Sequence, residues 1–368
     1  MKNRVIAMML ALAMCLGLAA CGQKAADEQT DVTTTPDAVV ENTPNAEPTG
    51  EVTEPAIEAE KVTVRFGCLS GPTGVGAVKM MSDAEAGTTL NDYEVTIAAE
   101  NTEIAGKLTN GDIDIACIAS NVAANLYNKT EGGIQALCLS TLGVLYILER
   151  GEKGFEPTVA SMADLKGKTI YANGQGANPE YVLDYLLTAN GVNPDTDVEI
   201  VWKATGPEVM AAMVTGDARY AMLPMPVAAA AQIQAKQTED REVKSVLSLT
   251  EEWNKVTEDS VLTMTTVVVR TEFAKEHPEV VANFMQDYAA SIEFVNANVE
   301  EAAALVEQYG IVAKAAIAKA AIPACNLVFI DGEAMQKQIT GYYEVLYNAN
   351  PASIGGKVPD DGFYYGVN

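Results

Sequence analysis

The chain carries one stretch of pattern twice. LTNGDIDIACIAS (Leu108 to Ser120) aligns with MVTGDARYAMLPM (Met213 to Met225) at an offset of 105 residues. Each reads as the end of a helix, a Gly-Asp turn, a short apolar strand and a loop. YEVTIAA (Tyr93 to Ala99) matches VEIVWKA (Val198 to Ala204) at the same offset, and TVRFGCLSG, running into a helix, parallels GKTIYANGQG about 103 residues later. A unit of strand, loop, helix, strand, helix and strand therefore occurs twice. Parallel strands joined by helices bury both faces of their sheet only when the helices cover it. The expected fold is α/β with two lobes, each a small parallel sheet clad in helices.

In open α/β sheets, ligands bind where the carboxyl ends of strands meet helix N-termini. That rule singles out four loops. The first supplies Ser70, Gly71, Pro72, Thr73 and Gly74; the second Ala119, Ser120 and Asn121; the third Gln175, Gly176, Ala177 and Asn178; the fourth Pro224 and Met225. Two extended runs, TLGVLYILERG (Thr141 to Gly151) and SVLTMTTVVVRTEF (Ser260 to Phe273), fall where the chain would cross between lobes, and Thr141 joins the candidate ligand contacts. The expected division is residues 61–145 with 266–368 as one lobe and 146–265 as the other. From Pro278 onward, Val281, Phe284, Met285, Tyr288, Ile292 and Val295 recur at helical spacing, and this tail is expected to complete the first lobe.

The glycines of SGPTGVG look like a phosphate loop, but the chemistry is missing. Gly71 and Gly76 have the spacing of G-x-x-x-x-G-K-[ST], yet Ala77 and Val78 replace the lysine and the hydroxyl. The order of Gly71, Gly74 and Gly76 also fails the dinucleotide fingerprint, as does Gly174 with Gly176. No cofactor is expected. The single histidine, His277, precedes a helix-starting proline, so neither a histidine relay nor a histidine metal cluster can form, and no catalytic residue or metal is expected.

Fifty acidic against 24 basic residues give a formal charge of −26, a field that repels nucleic acid. The start, MKNRVIAMMLALAMCLGLAAC, has Lys2 and Arg4, an apolar run and then small residues, the grammar of a signal peptide over residues 1–20. Its ending, LAAC, resembles the bacterial lipobox, which implies lipidation of Cys21 and attachment to the membrane surface. Residues 22 to about 60 hold no aromatic residue, four prolines and many acids, too little apolar surface to offset ordering, so residues 21–60 are expected to be a disordered tether. Cys68, Cys117, Cys138 and Cys325 are expected to be buried free thiols, since adjacent parallel strands seldom offer disulfide geometry.

The lipobox and tether, LSGPTGVGAVKM, LKGKTIYANGQGANPEYVLDYLL, TEFAKEHPEVVANFM and GGKVPDDGFYY together resemble the substrate-binding lipoproteins of ABC importers. The nearest group is similar to the nitrate, sulfonate, taurine and thiamine-precursor binding (NMT1-like) proteins. The resemblance implies a monomeric two-lobe Venus flytrap, the type II periplasmic-binding-protein fold, delivering a small solute to a permease and its ATPase on the extracytoplasmic face. A ligand-sensing lipoprotein would use the same closure. Pyrimidine synthases share the fold, but their chemistry resembles a histidine-and-lysine site that this chain lacks.

The four loops contain no Arg or Lys, which argues against a multiply charged anion. Ser120 and Asn178 read as helix N-caps, with Pro179 at the first helical position. Met222, Met225 and Met264 suggest an adaptable apolar wall. The expected ligand is a small neutral or weakly anionic organic molecule touching Ser70, Thr73, Thr141 and Gln175, with nitrate or an alkyl sulfonate as the alternative. Valine at Gly74 or Gly176 is expected to crowd the cleft at little cost in stability.

Overall fold

The computed structural model describes residues 61–237 and 240–367. The expected signal peptide, Cys21 and tether all lie outside the described residues. Alternation of strand and helix begins at once. β1 (Thr63–Leu69) leads through α1 (Pro72–Val75) and α2 (Val78–Glu85) to β2 (Asp92–Ala98), α3 (Asn101–Asn110) and β3 (Ile115–Ala119). β2 and β3 flank β1 in parallel, with Thr63 opposite Asp92 and Phe66 opposite Ile115. α4 (Ser120–Lys129) and β4 (Ile134–Leu142) follow, and then the chain enters a second sheet with β5 (Leu145–Glu152).

There β6 (Thr169–Asn173), α5 (Asn178–Ala189), β7 (Glu199–Lys203), α6 (Gly206–Thr215) and β8 (Tyr220–Pro224) repeat the first arrangement, followed by α7 (Val227–Ala235) and β9 (Arg241–Ser248). After α8 (Leu249–Val256), β10 (Thr263–Arg270) returns to the first sheet. α9 (Thr271–Glu276), α10 (Pro278–Ala297), α11 (Val299–Gln308), α12 (Ala315–Ala321), β11 (Leu327–Asp331) and α13 (Gly332–Ala349) complete the chain's main elements.

The first sheet has the order β11-β4-β10-β3-β1-β2 and the second β7-β6-β8-β5-β9. Without β11 the two orders coincide, so the duplication reaches past the sequence pattern to include α4 with α7 and β4 with β9. One strand of each copy is exchanged. β5 follows β4 in the chain but lies in the second sheet between β8 and β9, and β10 follows β9 but lies between β3 and β4.

Both exchanged strands run antiparallel to their neighbours, so each sheet is mixed rather than parallel. The reason is directional. Leu145 pairs with Pro224 and Thr265 with Ala119, so each crossing strand enters at the carboxyl ends of the parallel strands and must run against them.

Helix α10 presents the expected spacing as a buried face of Val281, Phe284, Tyr288, Ile292 and Val295 against the first sheet, where Phe66 and Phe284 rings lie 5.7 Å apart. A second apolar cluster holds Trp253, Tyr342, Tyr343 and Phe363. Cys68, Cys117, Cys138 and Cys325 are free and buried. The tail does more than complete the first sheet with β11, because α12 packs on α7 and α13 on α5 of the second lobe. No helix among the described residues is long and apolar enough to cross a membrane.

Between β4 and β5 the crossing turns on Gly143. Its N–H donates to Leu262 O at 2.6 Å, and its carbonyl accepts from Thr250 Oγ1 at 2.7 Å and Asn326 Nδ2 at 2.6 Å. A Cβ here would lie 2.5 Å from Thr250 Oγ1 and 2.6 Å from the Leu262 side chain. Gly143→Ala should therefore destabilise by about 1–3 kcal/mol, as overpacking does. At roughly 1–2 °C per kcal/mol for a chain of this size, a melting curve resolves the loss. An unchanged melting temperature would mean that the crossing yields without cost.

Candidate functional site

The carboxyl ends of β1 and β3 in one lobe, and of β6 and β8 in the other, carry the four loops. In the first, Gly71 has φ +88° and ψ −155°, a backbone region open to glycine, with nothing within 4 Å of a would-be Cβ. The Ser70 N–H donates to Ala98 O at 2.9 Å and the Gly71 N–H to Ile311 O at 2.8 Å. These two amides hold the loop down and do not point at a ligand. Ser70 is exposed, Gly71 and Pro72 are half-buried, and Thr73 and Gly74 are buried. A Cβ on Gly74 would stand 2.5 Å from Leu69 O and 2.7 Å from Ile311 Cδ1. The expectation of a stable Gly74→Val variant is thus corrected, because this glycine permits a backbone contact beneath the loop.

In the second loop Ala119, not Ser120, is the N-cap of α4, and its N–H donates to Asn101 Oδ1 at 3.0 Å. Ser120 is buried and its hydroxyl meets Thr266 Oγ1 at 2.9 Å and Thr263 Oγ1 at 3.2 Å. Thr263 Oγ1 in turn donates to the Thr141 carbonyl at 3.4 Å, so the Ser120 hydroxyl and the Thr141 backbone belong to one buried polar cluster between β3, β10 and β4. Asn121 is half-buried at the mouth. Thr265, opposite both Ala119 and Thr141, is fully buried, and its Oγ1 has no hydrogen-bond partner among the described residues.

The third loop exposes Gln175, Gly176 and Ala177. Gly176 has φ +72° with open space around it, its N–H donates to Glu180 Oε2, and its carbonyl accepts from Tyr181 OH at 2.8 Å. Asn178 does not cap α5, whose N-cap is Ala177; its Oδ1 accepts from Tyr342 OH at 2.9 Å. In the fourth loop Pro224 is half-buried, the Met225–Pro226 bond is cis, and the Met225 N–H donates to Val144 O at 2.9 Å. Met222 and Met225 are core residues and only Met264 is half-buried, which corrects the expectation of a methionine wall.

Two neighbouring tyrosines of α13 reach both lobes. Tyr343 OH donates to Ser120 O at 2.9 Å, and Tyr342 OH meets Asn178 across the interface. Burial raises both hydroxyls far above the usual phenol range, so they stay protonated donors. Asn350 Nδ2 adds a bond to Tyr181 OH at 2.8 Å. No sequence signal near the loops pointed to these partners.

Charge is distributed unevenly around the mouth. Glu180 accepts from Gly176, and Glu208 accepts from the Ala204 N–H at 3.2 Å, so α5 and α6 carry a carboxylate at their own N-termini. α4 and α7 have no acid in the first turn. A weakly anionic group would meet least competition there. Lys79 pairs with Asp83, and Lys203 Nζ lies 5.5 Å from the Tyr171 ring centroid. The His277 ring packs at a tilt of 49° against Phe273, with centroids 4.9 Å apart.

Residues 155–302 match the family model described as NMT1/THI5 like. The fold aligns with an ABC transporter protein from Parabacteroides distasonis at a TM-score of 0.68 and 19% identity, covering 83% of this chain and 99% of that one. The same fold recurs in solved periplasmic binding proteins. The periplasmic aliphatic sulphonate binding protein SsuA from Escherichia coli shares the binding-protein fold at a TM-score of 0.60 and 14% identity, over 81% and 92% of the two chains. The alkanesulfonate-binding protein SsuA from Xanthomonas axonopodis pv. citri, bound to MOPS, aligns at 0.54 and 14%, over 84% and 99%. No curated protein sequence matches the chain.

Two measurements probe the loops. Gly74→Val should melt well below the parent while Gly176→Val stays closer to it, because only the former meets backbone oxygen; equal melting would remove the distinction. Asp184, one turn after Glu180, is pushed up to about 6 by burial, with Glu180 and Asp195 adding to it. Its folded form holds a proton that the unfolded chain has lost, so its contribution is full below about pH 4 and vanishes as pH rises past 6. Asp184→Asn should raise the melting temperature at pH 8 by about 2 °C after discounting for solvent screening, and change it little at pH 4.

Proposed function

We propose that the chain is the extracytoplasmic solute-binding component of an ABC importer, which captures a small organic solute between two lobes and hands it to a permease driven by an ATPase. The observation that carries this reading is that two sheets whose strand orders coincide apart from β11 each present two strand-to-helix loops at their carboxyl ends, with α13 bonded to one loop of each sheet through Tyr343 and Tyr342. The binding-protein fold shared with the sulphonate-binding proteins supports the transport role. The lobes divide at residues 61–145 with 266–368 and 146–265. The protein acts as a monomeric binder without catalytic chemistry, and lipid on Cys21 holds it to the outer face of the membrane.

The proposed contact surface consists of Ser70, Gly71, Pro72, Ala119, Asn121, Gln175, Gly176, Ala177, Asn178 and Pro224, lying over the buried Thr265 with its unpartnered hydroxyl. Thr73, Gly74, Ser120, Thr141 and Met225 form the layer beneath. The four loops still bring no arginine, and Lys79 and Lys203 are engaged elsewhere, so the favoured solute is neutral or carries one weakly anionic group placed near α4. An alkyl sulfonate or nitrate, each a fully ionised monoanion, is the alternative.

A thermal-shift panel of sulfonates, nitrate, pyrimidines, amino acids and polyamines tests the reading. Solute at about 100 times its Kd adds roughly 2.7 kcal/mol. A stabilising solute should bind severalfold more weakly to Thr265→Val, while a solute whose affinity ignores Thr265, Gln175 and Asn121 alike would place the site elsewhere.

A further inference from the structure

We propose that the second lobe carries a separate site for a small dianion, built from Arg150, Arg219 and Arg241 at the end of the sheet remote from the four loops. These three arginines are half of the chain's six. They line one cavity of about 540 Å³, with the Phe155 ring on its wall. β8 runs from Tyr220 to Pro224, so Arg219 stands roughly 16 Å from the fourth loop at about 3.3 Å per residue.

The internal duplication supplies a comparison within the molecule. In the first lobe the Arg270 N–H donates to Asp114 O at 2.9 Å, and the Arg270 and Arg65 side chains both close on the Asp114 carboxylate. In the second lobe the same backbone bond joins the Arg150 N–H to Arg219 O at 2.8 Å. An arginine thus stands where the first copy has its acid, and the local balance moves two charges toward positive.

The three guanidiniums are only partly compensated. Arg219 pairs with Glu149 at 3.0 Å. Arg150 donates to the Ala218 carbonyl at 2.8 Å and the Gly216 carbonyl at 3.0 Å, Arg241 donates to the Val214 carbonyl, and neither forms an ion pair among the described residues. Burial, and then the charges of Arg241 and Arg219, hold Arg150 below the usual arginine range. Glu152, Glu156 and Asp240 also line the cavity, all three exposed to water. Arg150 and Arg241 are thus held by carbonyls with no carboxylate bonded to either among the described residues, although Asp217 is near enough to act on Arg150. A phosphate, sulfate or dicarboxylate group supplies two or more oxygens in the geometry that arginine forks accept.

Titration calorimetry with sodium phosphate, sodium sulfate and sodium malonate at low ionic strength tests the site, and the three arms separate tetrahedral from planar oxyanions. We expect saturable one-to-one binding of at least one of them. It should weaken at least tenfold in Arg241→Gln and in Arg150→Gln, persist in Arg241→Lys, and be untouched in Lys153→Gln, which removes an exposed neighbouring charge. Should Arg150→Gln fold poorly, a crystal soaked in selenate reads the wild-type site directly, with anomalous density expected between Arg150 and Arg241. Absence of saturable binding by all three salts, or equal weakening in Lys153→Gln and Arg241→Gln, would overturn the proposal. Either result leaves the cleft reading standing, since the thermal-shift panel and the Thr265 variant address it separately.

Discussion

The two strand crossings between the lobes are organised around the backbone of Gly143. One peptide carbonyl takes donors from α8 through Thr250 and from the segment before β11 through Asn326, while the N–H of the same residue binds the approach to β10 at Leu262. The outgoing crossing, the returning crossing and the C-terminal extension therefore meet at a single residue. A side chain would keep them apart, so absence of a Cβ is the condition for their meeting. The exchanged strands depend on it, because β5 and β10 enter their sheets from this junction.

The duplication was legible because each copy keeps a Gly-Asp turn and an apolar strand in the same order, and turn chemistry is a local property. Strand-helix alternation, the loops at the strand ends and the buried face of α10 were legible on the same grounds. The antiparallel insertion was not. TLGVLYILERG and SVLTMTTVVVRTEF show β-branched and aromatic residues, which say that a strand forms but not which sheet takes it, since pairing is decided by distant residues, from Tyr220 opposite Glu149 to Ile115 opposite Val269.

The candidate site was legible as backbone and less so as side chains. Ser120 and Asn178 sit at helix starts, as their residue types suggest, yet their bonds run to Tyr343 and Tyr342, 223 and 164 residues distant. Gly74 looked like a ligand-facing glycine and is a packing glycine, because Leu69 O and Ile311 arrive from directions that a linear pattern does not encode. Met222 and Met225 read as adaptable wall and are core, the commoner fate of an apolar residue on a central strand. Thr265 carried no signal at all, since its interest lies in a missing partner.

Successive residues of an α-helix project about 100° apart. Tyr342 and Tyr343 use that angle to address different lobes from one turn of α13, Tyr343 gripping its own and Tyr342 the other. Parting the lobes thus strains the Tyr342–Asn178 bond and its companion between Asn350 and Tyr181, while the Tyr343 bond travels with the helix. Two neutral hydrogen bonds resist by about 1–3 kcal/mol in total. That is a few multiples of thermal energy, added to the packing of α12 on α7 and of α13 on α5.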